Sequence, residues 1–348
     1  MGAVPDLPEL EELLSGVRVV AIPMRVRFRG VTVREAALLR GPAGWGEFAP
    51  FPEYQPPEAS RWLAAAIEGA YAAWPAPVRD RVPVNATVPA VPAEHVPEVL
   101  ARFAGATTAK VKVAEPGQSL ADDLARVAAV RDAMGGAAGI RVDANGAWSV
   151  AQATDALRRL AAYGLEYAEQ PCGTVAELAS LRVALARSRT DLLVAADESI
   201  RKADDPARVA REGAADLVVV KVPPLGGVRR ALQVVADCGL PAVVSSALDT
   251  SVGMAAGVAL AAALPDLPFA CGLGTVALLA GDVAAAPLVP HGGALPVGRV
   301  DADPGLLDRW AAPPEREQWW RERVTACWEV LASRPGRQGA AAAIQSDP

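Results

Sequence analysis

The residues that could do chemistry are few and regularly placed. Lys110 and Lys112 stand two apart in an apolar run, Asp143, Glu169 and Asp197 close three later runs at separations of 26 and 28 residues, and Lys221 closes the run after those. A spacing of two on a strand sends Lys110 and Lys112 to one face and Val111 and Val113 to the other. Acids one strand–helix repeat apart fall on neighbouring parallel strands about 4.8 Å apart, where three carboxylates can share one hard cation. An all-oxygen donor set with room for water and substrate suits Mg²⁺, with Mn²⁺ as its substitute. A lysine amine, unlike a guanidinium, can be tuned by burial and neighbours to lose and regain a proton. Only four of the 34 basic residues are lysine, namely Lys110, Lys112, Lys202 and Lys221, and three of these four end strands. Burying three acids and three lysines together is costly without a ligand to organise them, so the set points to proton transfer beside a divalent metal. Glu198, next to Asp197, reads as a helix cap or ion-pair partner, and Lys202 as an exposed residue of a polar loop.

The elements that must position these groups are legible as a repeat. Apolar runs rich in β-branched residues cover 83–88, 108–113, 140–145, 165–170, 192–198, 217–222, 242–247 and 269–274. Between them, 120–134, 150–163, 175–187 and 228–238 carry apolar residues at i, i+3, i+4 spacing, as amphipathic helices do. Gly135, Gly164 and Gly239 supply helix stops. Strand and helix alternating at a period of roughly 24 to 32 residues is the α/β pattern of a modified (β/α)8 TIM-type barrel, here over 81–300. Active sites in that fold lie at the C-terminal mouth. The strands of Lys112 and Lys221 are four apart in eight, so the two lysines should face each other across it. Outside the repeat, 17–28, 31–39 and a turn at 41–46 read as an antiparallel meander followed by a helix at 57–74, an α+β capping domain within 1–80. The segment 301–332, with a helix at about 314–332 bearing Trp319, Trp320 and Trp328, should pack back on that cap, and 333–348 reads as a disordered tail.

Composition narrows the class. The 348 residues are 52% hydrophobic and 21% charged, with 30 Gly and 30 Pro, as in a folded, turn-rich chain. A net charge of −6 without a dense Lys/Arg run argues against nucleic-acid partners and anionic membrane surfaces. The most apolar stretch, 252–264, ends at Pro265 and Asp266, well short of the roughly 20 residues of a membrane span. Acids and prolines near Met1 replace the basic start and apolar run of a secretory leader, so a cytoplasmic location is expected. Cys172, Cys238, Cys271 and Cys327 form no C-x-x-C pair and read as reduced packing residues, not a disulfide framework or zinc site. No sequence feature specifies an oligomeric state.

Ala109-Lys110-Val111-Lys112-Val113, Val142-Asp143-Ala144-Asn145, Glu169-Gln170-Pro171, Ala196-Asp197-Glu198-Ser199 and Val220-Lys221, with the cap turn Gly44-Trp45-Gly46-Glu47, resemble the signature of the enolase superfamily in its muconate-lactonizing subgroup, over about residues 17–330. Enzymes of that superfamily pair a Lys or His base with Mg²⁺. The resemblance implies Mg²⁺ on Asp143, Glu169 and Asp197 and a small-molecule carboxylate as substrate. Lys112 would be the base, Lys110 a like charge that lowers its pKa, and Lys221 a stabilising group on the opposite face. Arg141 and Asn145, which share the parity of Asp143, are expected just inside and above it, supporting the site or touching substrate. Ser246 and the backbone near Gly272 are candidates for a substrate carboxylate, and the cap loop 24–30, with Phe51 and Tyr54, for closing over the site.

Within the superfamily, a mandelate-racemase type needs a histidine at the sixth or seventh strand end, and the chain has only His95 and His291, neither of them there. Dipeptide epimerases carry an Asp-x-Asp where this chain reads Cys271-Gly272-Leu273-Gly274. Ser245-Ser246-Ala247, the glycine-rich eighth strand and Gly46-Glu47-Phe48-Ala49-Pro50-Phe51 resemble instead the branch, in its actinobacterial form, that supplies menaquinone synthesis. That branch syn-dehydrates 2-succinyl-6-hydroxy-2,4-cyclohexadiene-1-carboxylate to an aromatic product. Lys112 would then take the proton beside the carboxylate, and its ammonium would protonate the departing hydroxide. Racemization of N-succinylamino acids by the two facing lysines and muconate-type cycloisomerization stay open. So, further off, do a Schiff-base aldolase built on Lys221 and a barrel retained only for binding.

Overall fold

The computed structural model describes residues 7–28, 30–201 and 205–334; Lys202, Arg29 of the cap loop and most of the expected tail, 335–348, lie outside the described residues. The cap is built on an antiparallel meander, Val17–Phe28, Val31–Gly41 and Gly44–Phe48. Both of its faces are buried. Val19, Ala37, Leu39 and Phe48 join the core that includes Trp62 and Ala66 of the helix Pro56–Tyr71, while Val20, Ile22, Ala36 and Leu38 pack with Val252, Leu279 and Val283 from the barrel side. A sheet covered on both faces reads as nearly continuous apolar sequence, as these strands do. The turn expected at 41–46 is tighter, because Gly44–Phe48 already runs back as a strand. Gly46 is there for proximity: a Cβ on it would stand 1.9 Å from the carbonyl oxygen of Ala66, so strand and helix meet backbone to backbone.

The helix Pro314–Ala332 lies against this cap. Trp320 Nε1 donates to Glu35 at 2.9 Å, Trp328 Nε1 donates to the Pro8 carbonyl at 2.9 Å, and the Trp320 ring meets Phe48 edge-on at 5.7 Å. Indole rings buried with their N–H groups satisfied are the usual stable placement.

Seven parallel strands follow in sequential order round one sheet: Ala86–Val88, Thr108–Lys112, Gly139–Asp143, Leu165–Glu169, Leu193–Ala196, Leu217–Val220 and Ala242–Val244. The eighth run does not form a ladder. Single bridges close the barrel there: Cys271 N–H donates to Pro83 O at 2.7 Å, Asn85 N–H donates to Cys271 O at 2.9 Å, and Gly272 N–H donates to Val244 O at 2.8 Å. The first run is likewise split. Arg81–Pro83 leaves the barrel to pair antiparallel with Ala294–Pro296, an excursion that eases the lack of an N–H on Pro83.

Helices Leu120–Met134, Val175–Arg187 and Val228–Cys238 have the expected bounds; the segment from Val150 is α-helical to Leu160 and tightens to a 3₁₀ turn before Gly164, at φ 66°. Ser119, Ser149 and Thr174 each open a capping box, which satisfies the first orphan N–H groups and fixes the loops above the strands. Inside the barrel, Tyr167, Ala195, Leu217, Val219 and Val243 form an apolar floor with Phe269. One inward step above that floor, Glu169, Asp197, Lys221 and Ser245 share its parity. Among the described residues no helix is long and apolar enough to cross a membrane, and the four cysteines are buried and free.

Candidate active site

At the C-terminal mouth, strand register sets the charged residues beside one another. Lys112 is level with Asp143, Asp143 with Glu169, and Glu169 with Ala195, so Asp197 stands two residues further along its strand. A shear of about eight residues round eight tilted strands amounts to about one residue per strand. A two-residue offset over two strands therefore brings Asp197 to the height of Asp143.

Six groups interlock there, none more than 8% exposed. Lys110 Nζ donates to both Glu169 oxygens at 3.0 Å and lies 3.5 Å from Asp143 Oδ2. Lys112 Nζ donates to Asp143 Oδ2 at 2.5 Å and to Asn145 Oδ1 at 2.6 Å, and Lys221 Nζ donates to Asp197 Oδ2 at 2.5 Å. Burial lowers the pKa of Lys112, helped by the charge of Lys110 and only partly offset by Asp143. For Lys110 burial works the same way but is outweighed by Glu169 and Asp143, which raise it. Burial and then Asp143 push Glu169 up to about 7; Asp197, despite burial, is held down at about 2 by Lys221 and Arg201.

Among the described residues no three ligating side chains converge as they stand on a single metal position, because each acid is gripped by an ammonium. The donor set nevertheless fits a hard divalent cation. It is three carboxylates with no soft atom, Asp197 Oδ1 is buried and makes no hydrogen bond, with only the Arg201 guanidinium 3.3 Å away, and Glu169 is raised by burial and by the like charges beside it. A cation at this place must take over contacts that the lysines now hold.

The surrounding residues divide into those the mouth brings together and those it does not. Asn145 sits in the left-handed region, φ 48°, which asparagine tolerates. Besides its contact with Lys112, it donates through Nδ2 to Glu198 at 3.3 Å. Glu198 also accepts from Arg201 at 2.6 Å, and Arg201 reaches the Tyr54 hydroxyl at 2.9 Å, so Tyr54 ties the cap to this corner. Gln170, absent from the sequence-derived set except as part of its motif, accepts the N–H groups of Asp197 at 2.9 Å and Ser199 at 3.2 Å and fixes the end of that strand.

Arg141 faces inward, as its parity with Asp143 requires, and lies inside the acid, below the cluster. Two residues earlier on a strand running toward the mouth is about 6.6 Å deeper. Its guanidinium donates to Glu166 at 2.7 Å and to the Ala270 carbonyl at 2.6 Å, and stacks on Tyr167 at 4.8 Å, plugging the floor. Gly272 needs correction too. Its N–H is given to Val244 O and its carbonyl accepts from Ser246 N at 3.0 Å, so it has no donor left for a carboxylate. What it supplies is space, since a Cβ would meet Ser245 Oγ at 2.6 Å.

The cavity over the cluster is lined by Phe28 and Phe51 of the cap and by Thr87, Lys110, Lys112, Asp143, Lys221, residues 245–248, Gly272 and Thr275 of the barrel. The space in it that the centre of a water molecule can reach is about 20 Å³, room for about one water. The Phe28 ring lies 5.3 Å from Lys112 Nζ, and Ser246 Oγ shares a 2.7 Å hydrogen bond with Thr275 Oγ1. Thr87 was missed from sequence. Its hydroxyl is buried without a hydrogen-bond partner, and the signal that could have found it is its register with Lys110.

Comparison with known proteins places the chain. Family models described as enolase N-terminal domain-like and enolase C-terminal domain-like match residues 19–70 and 94–307. The chain is 61% identical over 326 residues to the o-succinylbenzoate synthase of Mycolicibacterium smegmatis, covering 93% of this chain and 99% of that one. It is 58% identical over 333 residues to the o-succinylbenzoate synthase of Mycobacterium leprae, covering 95% and 97%. Its fold is similar to that of the muconate lactonizing enzyme from Pseudomonas fluorescens complexed with muconolactone, with a TM-score of 0.72, 22% identity, and 85% and 98% of the two chains covered.

Proposed function

The chain belongs to the enolase family, and on that premise we propose that it is an o-succinylbenzoate synthase, a hydro-lyase of menaquinone synthesis that syn-dehydrates 2-succinyl-6-hydroxy-2,4-cyclohexadiene-1-carboxylate. The observation that carries this is near-60% identity to synthases of that name along almost the whole chain, in a molecule whose three lysines and three carboxylates form one buried cluster. Those charges cancel. A divalent cation would leave a surplus of two, or one with Lys112 neutral, which suits a substrate bearing two carboxylates. We assign the enzyme to the cytoplasm.

Asp143, Glu169 and Asp197 would hold Mg²⁺, or Mn²⁺ in its stead; when bound, it supplies positive charge against the charge that builds on the substrate carboxylate as the neighbouring C–H is broken. Lys112 is the base. Burial and Lys110 favour its neutral amine, and Asn145 orients it at 2.6 Å. Lys110, tied to Glu169, keeps its own proton and its charge. Because loss of proton and hydroxide is syn, the ammonium formed on Lys112 can protonate the leaving oxygen on the same face. Lys221, held by Asp197, contributes its charge to the intermediate. Thr87 and Ser246 offer hydroxyls to the substrate, and Phe28 and Phe51 exclude water above it.

A second activity, racemization of N-succinylamino acids, is favoured by Lys112 and Lys221 lining one cavity. A Schiff-base role for Lys221 is disfavoured by its 2.5 Å contact with Asp197, which ties the amine to a carboxylate. The test is to give purified protein and Mg²⁺ the cyclohexadiene substrate and an N-succinylamino acid, following aromatization and α-proton exchange separately. Aromatization is expected, and its absence alongside rapid α-proton exchange would replace the dehydratase assignment with the racemase one.

A further inference from the structure

The loop 245–250 after the seventh strand supplies Ser245, Ser246, Ala247 and Leu248 to the cavity wall, yet much of what fixes its backbone comes from the cap. Arg34, 3% exposed on the second cap strand, donates through Nε to the Leu248 carbonyl at 2.9 Å and through Nη2 to the Ala247 carbonyl at 3.1 Å, and also bonds the Ala49 carbonyl. Its guanidinium lies 4.8 Å from the Phe51 ring, another wall residue. Glu47, 6% exposed on the third cap strand, accepts from Thr250 N at 3.1 Å, Thr250 Oγ1 at 2.5 Å and Gly253 N at 3.0 Å, at the start of the helix Ser251–Ala263.

Between these anchors Leu248 has φ 65°, a conformation unfavourable for a leucine that persists only where its surroundings enforce it. Asp249 closes the turn from within by accepting Ala247 N–H at 3.0 Å. A buried guanidinium and a buried carboxyl group of the cap thus hold the carbonyl and amide groups on either side of the strained residue, and the bonds of the guanidinium are charge-assisted, which makes them the stronger ones.

We propose that Arg34 and Glu47 are positioning residues that hold the loop 245–250 in place as the substrate-facing wall of the cavity. Neither touches the reacting atoms. Their effect passes through Ala247, Leu248 and Thr250, so the wall is complete only when the cap is seated. The proposal rests on the dehydratase reading for its kinetic arm alone.

The test combines steady-state dehydration kinetics, thermal melting and substrate-free hydrogen exchange over 245–253 in the wild type, Arg34→Met, Arg34→Lys and Glu47→Gln. Losing buried hydrogen bonds to a charged group should raise KM about tenfold in Arg34→Met while kcat changes by less than about threefold, and amides from 247 to 253 should exchange faster. Arg34→Lys, which keeps the charge and some donor capacity, should fall between the two; if Arg34→Met fails to fold, this variant carries the test with a KM raised about threefold or more. A purely structural role would lower the melting temperature and leave KM alone, and that outcome, like unaltered exchange over 247–253, would overturn the proposal. If the wild type proves inactive as a dehydratase, the functional reading fails while exchange still judges the clamp.

Discussion

Lys112 Nζ lies 2.5 Å from Asp143 Oδ2, so the proposed base and a proposed metal ligand hold each other. A cation drawn to Asp143 competes with that ammonium.

Asp143→Asn and Glu169→Gln should therefore lose Mg²⁺ affinity while remaining folded, and Lys112→Met should gain it. A unit charge a few ångströms away is worth several kcal/mol even at an effective dielectric constant of about 20, so changes of about tenfold or more are expected in each direction. Calorimetric titration with Mg²⁺ or Mn²⁺ checks this, and thorough chelation should abolish turnover. Unchanged affinity in Asp143→Asn would mean that the cation is held elsewhere.

Gly272 owes its identity to Ser245, whose Oγ stands 2.6 Å and Cβ 3.2 Å from where an alanine Cβ would fall. Overpacking typically costs about 1–3 kcal/mol, so Gly272→Ala should lower the melting temperature and raise KM, and adding Ser245→Gly should recover part of both. Melting curves and KM for the single and double variants read the coupling. A Gly272→Ala protein with wild-type values would show that the eighth segment shifts freely.

Burial, and then the neighbouring Asp249, push Glu47 from 4.5 up to about 8, against the opposing pull of Thr250 and Arg34. The folded chain then keeps a proton that the unfolded chain releases above 4.5, so the stability it contributes is full below about pH 4.5 and is lost as pH rises to about 8. In Glu47→Gln that part of the pH dependence of the melting temperature should flatten. An equally steep decline in the variant would assign it to other groups.

The charged cluster was legible because its residues obey the strand period: spacing of two for Lys110 and Lys112, and one strand–helix unit between acids. Period and strand direction give the face and depth of Arg141 but not its partners, which is why a residue expected to support the site or touch substrate is instead spent on Glu166, Tyr167 and the Ala270 carbonyl at the floor. Backbone bonding is invisible to residue type, and so the N–H of Gly272 looked available when Val244 already holds it. Gly44-Trp45-Gly46 reads as a turn by composition, yet Gly46 is a strand residue touching Ala66. Gln170 and Arg34 act through partners distant in sequence, across the barrel or from the cap, and carry no local signal of it, while Thr87 shows only through its register with Lys110. The capping boxes at Ser119, Ser149 and Thr174, whose partners are three residues away, were readable in principle from spacing alone.

The most direct measurement is the initial rate of ring aromatization by Lys112→Arg against Lys221→Arg under saturating Mg²⁺. Guanidinium is too weak a base to replace a tuned amine, and a positioned base is worth about 10² to 10⁴-fold, so Lys112→Arg should fall at least that far. Lys221→Arg keeps its charge and should retain measurably more dehydration, while losing any racemization that needs both lysines to exchange protons. If Lys112→Arg dehydrates as fast as Lys221→Arg, the base does not stand on the strand of Lys112.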